Sequence, residues 1–415
     1  MMHPITDTLL STIQRLQYTD KAAAEAQLLS FIQQTFPELP APPLQVELRP
    51  SAVSLNSFNG YLTLQNGQRF FFKTHVEPNS ILSEYYNSAL LETAGYPIIR
   101  PVYASTEYGK QFLIYDLIDS PSVFDLAREL EVNAAPPSDP RFEALRIAQN
   151  REDQALLGRY LATLTPRTAE EAAQSPVHQL LYHRLAGERY KTFYLDGETP
   201  RLPLDKTWLV NGRRYTQTLR ELVNNAALIH PQRAGYGVIG HGDAHNGNVF
   251  VQPDPDSVGG AKLVYFDPAF AGLHDPLLDL TKPLFHNAFA TWMYHPVNHP
   301  QAETLTVTES DTTITVEFDE TPPPIRRMFI ESKVTHTLAP LLRELKHRRL
   351  LSETWRTTLK TALFCCPLLT MNLMDRGRFP VKTHWLGLSY AVIMGAESTG
   401  TSLSLIDSLL GEIGV

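Results

Sequence analysis

Cysteine is nearly missing from this 415-residue chain: Cys365 and Cys366 are the only two, and they are neighbours in an apolar stretch. Adjacent cysteines bridge only with strain, and no Cys-x-x-Cys or zinc spacing is present. A disulfide scaffold and a cysteine-built zinc site are therefore excluded, and buried thiols in a reducing compartment are expected. No apolar run reaches 18 residues; the nearest, Ala362–Met374, is interrupted by Pro367 and Asn372. That argues against a spanning helix. Met1-Met2-His3-Pro4 leads into no apolar segment, so no signal peptide is expected, and a soluble, cytoplasmic protein is. Basic runs are missing as well, and the net charge of −8 offers no footprint for nucleic acid. A functional P-loop is lacking: in Gly395-Ala396-Glu397-Ser398-Thr399-Gly400-Thr401-Ser402 a Thr stands where the lysine is required. That segment reads as a turn between helices.

What is present is ordinary globular material, 43% hydrophobic and 19% charged, at a length that suggests two or three domains. Apolar spacings of three and four predict helix over 6–36, stopped by the proline-rich Pro37–Pro43. Leu44–Leu48, Gly60–Leu64, Arg69–Lys73, Pro101–Ser105 and Gln111–Tyr115 read as short strands, with a hairpin turn at Asn66-Gly67 and a helix over 79–94. Further on the pattern is mainly helical, with candidates at 122–131, 141–164, 176–193, 216–228, 276–285, 325–347, 353–364, 383–394 and 402–412. Strands are expected at Val249–Val251 and Lys262–Phe266, and a polar hairpin at Leu305–Val307 and Thr313–Phe318. The expected organisation is a helical extension with a proline-rich linker (1–43), a small sheet with one helix (44–118), and a helical domain (119–415).

The chemistry is concentrated in His241-Gly242-Asp243-Ala244-His245-Asn246-Gly247-Asn248 and Tyr265-Phe266-Asp267-Pro268. These place an Asp, an Asn five residues on, and a second Asp at the end of an apolar strand. Phosphoryl transfer needs those three groups: a carboxylate for the attacking hydroxyl, and an Asn and an Asp for the Mg²⁺ on the phosphates. The Asp-x-x-x-x-Asn spacing matches a kinase catalytic loop. Upstream, Phe70-Phe71-Phe72-Lys73 sets a lysine at the end of an apolar strand, and Glu84 falls on the following helix. Such a pair presents an ammonium to the α- and β-phosphates; a solvated lysine is the alternative.

The motifs resemble those of the aminoglycoside phosphotransferase and choline kinase family of small-molecule kinases. That signature, H-G-D-x-H-x-x-N, a strand ending in Asp, then D-P-x-x-D-L, reads here as His241–Asn248, Asp267 and Asp275-Pro276-Leu277-Leu278-Asp279-Leu280. The match is specific at these motifs and looser over about 44–290, and it does not extend to the C-terminal 120 or so residues. The resemblance implies an α+β, bilobal protein-kinase-like fold, a small antiparallel sheet lobe and a larger helical lobe. It implies Asp243 as catalytic base, Asn248 and Asp267 as Mg²⁺ ligands, and ATP or another nucleoside triphosphate as donor. His241 would support the loop from beneath, and Asp279 would tie the next helix to it. In the segment Ser54–Tyr61 the glycine-rich loop of protein kinases is replaced; Ser57, Asn59 and Gly60 would approach phosphate, or form a turn with no ligand. Tyr115 and Leu117 would belong to the hinge whose backbone holds the adenine edge.

Asp267 is followed by Pro268 and no A-P-E element follows, which argues against a phosphorylation-controlled loop and a protein substrate. Ala244 replaces the larger apolar residue common in the family loop. The acceptor is expected to be a hydroxyl of a small polar molecule, a sugar, amino sugar or amino alcohol. Tyr182, Tyr190, Phe193, Tyr194, Trp208, Phe285, Phe289, Trp292 and Tyr294 either line its pocket or are core. Two other classes stay open: a metal-dependent hydrolase using His241, Asp243 and His245, and a catalytically silent nucleotide-binding module.

Overall fold

The computed structural model describes residues 8–49, 57–75, 78–107, 109–196, 202–229, 234–400 and 402–415, and side chains among these except at 57, 75 and 78–84. The fold is α+β and divides into two compact units. One comprises 1–93, 97–120 and 265–269; the other comprises 94–96, 121–264 and 270–415.

The first unit is built on a five-stranded antiparallel sheet in the order β1-β2-β3-β5-β4: Pro43–Leu48, Ser57–Leu64, Arg69–His75, Phe112–Asp116 and Tyr103–Ser105. Side chains alternate across a strand, and this sheet is apolar on both faces, so both need cover. Phe70, Phe72, Leu62, Leu64, Phe112 and Ile114 form one core with Leu10, Ile13, Leu28, Phe31 and Ile32. Those last five come from helices α1 (Leu9–Leu16) and α2 (Lys21–Thr35). The segment expected as an extension to residue 43 thus shares the sheet's own core. The single helix expected over 6–36 is two, because Asp20 caps Ala23 N–H at 3.1 Å and starts a new helix. On the opposite face, Leu113 and Tyr115 pack with Phe71, Tyr85, Ile99 and Phe266. Helix α3 (Pro78–Thr93) packs on β3 and β5.

The second unit begins with α4 (Val123–Val132) and the long α5 (Pro140–Thr163). Three short strands, β6 (Thr165–Arg167), β9 (Gly235–Gly240) and β12 (Gly272–His274), make an antiparallel sheet with β9 central. Sequence reading passed over all three, because β9 contains Gly235, Gly237 and Gly240 and its neighbours are only three residues long. Between them in sequence lie β7 (Thr207–Val210) and β8 (Arg213–Tyr215), joined at Asn211-Gly212, where both residues take positive φ, as a tight hairpin requires. After β9 come β10 (Val249–Pro253) and β11 (Ala261–Tyr265), which pair with each other. The polar hairpin β13 (Thr306–Glu309) and β14 (Thr313–Glu317) adds in parallel to β7, and β15 (Ser398–Thr399) adds to β8. The expected helix at 176–193 is broken at Gly187 and carries a π turn at Gln179–His183. The expected helix at 353–364 runs on through Pro367 as Trp355–Thr370.

Of the aromatic residues expected at the acceptor pocket or in the core, Tyr190, Tyr194, Trp208, Phe285, Phe289 and Trp292 are buried in the core. Trp292 lies parallel to Tyr390, 6.1 Å between centroids. Cys365 and Cys366 are buried, unbridged thiols, and burial pushes both up from the ordinary thiol range, Cys366 to about 12. No helix among the described residues is long and apolar enough to cross a membrane.

Candidate active site

In the second unit the chain leaves β9 at Gly240 and turns through His241–His245 into a 3-10 turn, Asn246–Asn248, before β10. Two close approaches dictate glycine. A Cβ at Gly240 would lie 2.3 Å from the Asp279 carboxylate, and one at Gly242 would lie 2.1 Å from the Phe270 carbonyl oxygen, at φ +76°. We expect Gly242→Ala to lose at least about 1–2 kcal/mol from the left-handed backbone alone, with a further loss from the clash. The denaturant midpoint measures it; a midpoint equal to that of the unaltered protein contradicts the loop geometry.

Asp279 is the brace under this loop. It is buried, accepts the Gly242 N–H at 2.6 Å through Oδ1, and accepts the Tyr160 hydroxyl through Oδ2. Asp275 starts the same turn by accepting the Leu277 N–H at 2.9 Å. His241 is buried and its Nδ1 accepts the Asp243 N–H at 3.3 Å; the His245 Nδ1 accepts the Gly247 N–H at 3.1 Å. Both imidazoles therefore hold the loop's own backbone. Among the described residues no group of three His, Cys, Asp or Glu could hold a metal ion.

Asp243 points its carboxylate at Lys282, Oδ1 to Nζ 2.5 Å, with both side chains 13% exposed. Burial raises the carboxyl's pKa, but the Lys282 ammonium, with His245 and His241, outweighs it and holds the group at about 2. The acid is thus ionised throughout the neutral range. Asn248 donates its side-chain Nδ2 to the Asp243 carbonyl at 3.0 Å. Donation through Nδ2 commits the amide nitrogen and presents the oxygen, the atom a hard cation takes. The Asn246 N–H donates to Asn287 Oδ1 at 2.8 Å, the Asn287 carbonyl accepts from Arg326 at 3.2 Å, and Arg326 pairs with Glu131 at 2.8 Å. A chain of polar contacts from α4 and the helix Pro324–Lys333 thereby fixes the loop.

The first unit holds the other half of the expected site residues. Phe70 and Phe72 face the α1–α2 core, so Lys73 shares the face of Phe71. There the Lys73 Nζ meets Asp267 Oδ1 at 2.7 Å, and the two side chains are 12% and 33% exposed. Asp267 has φ +56°, a conformation that non-glycine residues adopt rarely and that often marks functional sites. The Asn87 side chain holds the following turn by donating to the Pro268 carbonyl at 3.0 Å. Asn59 stands opposite Lys73 in the ladder and Gly60 opposite Phe72. Both lie in β2, which starts at Ser57, three residues before the strand expected at Gly60–Leu64. Gly60 is required by packing, since a Cβ would lie 2.1 Å from the Glu47 carbonyl oxygen. Of the expected phosphate and lysine partners, the side chains of Ser57 and Glu84 lie outside the described residues. Tyr115 is buried, with Phe266 edge-on at 5.1 Å, and Leu117 follows the last ladder residue, Asp116.

No protein-family model and no curated protein matches the chain. Solved structures do. A Plasmodium vivax ethanolamine kinase aligns at 9% identity over 95% of each chain, TM-score 0.45. A macrolide 2'-phosphotransferase type I aligns at 12% identity over 89% of this chain and 96% of its own, TM-score 0.43. An amicoumacin kinase in complex with AMP-PNP and Ca²⁺ aligns at 15% identity over 84% and 87%, TM-score 0.42. The chain resembles small-molecule phosphotransferases.

Sequence reasoning missed Lys282, Tyr160 and Asn287. Lys282 had a signal: it is the one charged residue in the otherwise apolar or neutral run Thr281–Phe289. Replacing it by Met removes the main influence that lowers Asp243. The carboxyl pKa then rises, and the acidic limb of the rate profile moves to higher pH. Turnover measured from pH 4 to 9 checks this; an unmoved limb contradicts it.

Proposed function

We propose that the protein is an ATP- and Mg²⁺-dependent phosphotransferase that transfers the γ-phosphoryl group to a hydroxyl of a small polar molecule. The observation that carries this is the Asp243 carboxylate, buried yet kept ionised by Lys282, on a loop braced by Asp279, Tyr160 and Asn287. An ionised, fixed carboxylate can accept the hydrogen bond of an attacking hydroxyl, orient its lone pair, and take the proton as the P–O bond forms. With so low a pKa it is a weak base, so orientation comes first and proton transfer late.

Asn248 and Asp267 are the residues we assign to Mg²⁺. An amide oxygen and a carboxylate are the donors a hard cation takes, and the ion would neutralise charge on the phosphates. Lys73 supplies a cation to the α- and β-phosphates. The backbone at Tyr115 and Leu117 is assigned to the adenine edge, and Asn59, opposite Lys73, to the phosphate side. The reading requires both sets of residues to serve one nucleotide. It sets the protein in the cytoplasm, with ATP at hand. The test is ADP release across a panel of hydroxyl acceptors, with the phosphorylated product weighed by mass spectrometry. ATP turnover with no phosphorylated acceptor in any arm overturns it.

A further inference from the structure

The second unit holds a cavity of about 300 Å³ whose walls include both supports of the Asp243 loop. Tyr236 belongs to β9, the strand that delivers the loop; Asp275 caps the turn Pro276–Asp279 that braces it, and Leu277 lies within that turn. The rest of the wall is mostly apolar and comes largely from the C-terminal helices. Leu345 stands on Ala339–His347 and Leu350 just past it, and Trp355 and Thr358 stand on Trp355–Thr370. Ser352 and Thr354 on this wall are exposed, so the cavity opens to solvent. Arg167 and Asp275 both line it and pair, Nη2 to Oδ2, at 3.3 Å. Arg167 ends β6, opposite Gly235 in the ladder, and is 9% exposed. Its stem crosses β9 at Gly237, where a Cβ would lie 3.1 Å from the Arg167 Cδ, so the arginine is built into the sheet. Nε and Nη1 of this guanidinium are buried and have no hydrogen-bond partner among the described residues. Asp275 commits its other oxygen, Oδ1, to the Leu277 N–H at 2.9 Å.

A guanidinium carries five N–H donors, and a buried donor left unmatched bears its full desolvation cost. The two unmatched nitrogens call for acceptor oxygens. The Arg167–Asp275 pair is already neutral. A ligand anion would be set against the Asp275 carboxylate, and a ligand cation against Arg167. A neutral carbonyl oxygen satisfies the donors without either repulsion, and the leucine and tryptophan side chains suit an apolar body. We propose that this cavity is a ligand site apart from the proposed active site, for a small neutral molecule with an amide carbonyl on an apolar body, and that its occupancy tightens the Asp243 loop. The link is short. Asp275 starts the one turn that Asp279 ends, and Asp279 accepts the Gly242 N–H at 2.6 Å. Binding and loop protection are both read without turnover, so the site stands or falls apart from the phosphotransferase reading.

The experiment titrates the full chain with aryl and alkyl amides and with the matching carboxylates and amines; phenylacetamide, phenylacetate and phenethylamine are one such trio. Saturation-transfer NMR measures binding, and hydrogen–deuterium exchange reads the loop His241–Asn248. Expected is a preference for the neutral member of each trio, and slower exchange in the loop when that member is saturating. Arg167→Met should weaken amide binding about tenfold, the low end for a hydrogen bond to a charged group. Thr358→Phe fills the cavity and leaves the Arg167–Asp275 pair in place. It should abolish binding, and it carries the test if Arg167→Met does not fold; thermal melting of both variants reports folding. Equal or tighter binding of the acids or amines, or no binding in any trio, overturns this inference. So does binding undiminished by Thr358→Phe, or loop exchange unchanged with the amide saturating.

Discussion

Replacing Asp243 with Ala is expected to cost about 10²–10⁴ in turnover, the usual contribution of a positioned acid or base, while nucleotide binding survives. The structural ground for the second half is that Asp243 contacts Lys282 and its own loop; the lysine that we assign to the phosphates, Lys73, is paired elsewhere, with Asp267. The loop should keep its shape in the variant, because Asp279, Asn287 and the two histidines hold it through backbone groups that the substitution leaves in place. Single-turnover kinetics and a nucleotide titration on the same preparation check the split. Turnover within a few-fold of the unaltered protein removes Asp243 from the chemistry. Asp243→Asn is the companion variant: it keeps the volume and loses the charge, so its deficit should approach that of Ala.

Asp267→Ala should act on the other axis. It removes a proposed Mg²⁺ ligand and the 2.7 Å partner of Lys73 at once. Hydrogen bonds to charged groups are worth about 1.5–3 kcal/mol each, so nucleotide affinity in the presence of Mg²⁺ should fall by about tenfold or more. The positive φ at this position complicates Ala, which adopts that conformation poorly. Asp267→Asn is the cleaner variant, since Asn tolerates left-handed backbone and keeps an oxygen while losing the charge. Its expected phenotype is a higher Mg²⁺ requirement with the fold intact. Titrating Mg²⁺ against bound fluorescent nucleotide reads this directly; identical curves for the two proteins would falsify the assignment.

The residues proposed for the site stand out because each sits in a short local motif. His241–Asn248 and Asp275–Asp279 are contiguous runs whose spacing encodes a loop and its cap, and the structure gives Asp279 the tie to Gly242 that the motif implies. Strand periodicity likewise located β1, β3, β4 and β5 to within about two residues. Failures came where an element's identity depends on a distant partner. The glycine-rich β9 has almost no strand propensity, yet it is central in a sheet. Ser57 to Asn59 read as loop and is strand, because it pairs with β3. The helices before residue 43 read as an addition, but they pack into the core on one apolar face of the sheet.

Residue order alone supplied the reaction class proposed here and the carboxylates, amide and lysine assigned to it, with a metal-dependent hydrolase and a silent nucleotide-binding module left open beside it. Those are local matters, carried within spans of a few residues. The state of the base was a tertiary matter. Lys282 lies 39 positions from Asp243 in sequence, and their juxtaposition is the largest influence that holds the buried carboxyl's pKa down. The C-terminal helices belong to the same category. They carry no motif, yet Arg326 reaches the loop through Asn287, and Trp355–Thr370 is the surface on which the Lys282 helix packs. Charge falls off with distance in space, not along the chain, so the charge state of Asp243 was decided by packing.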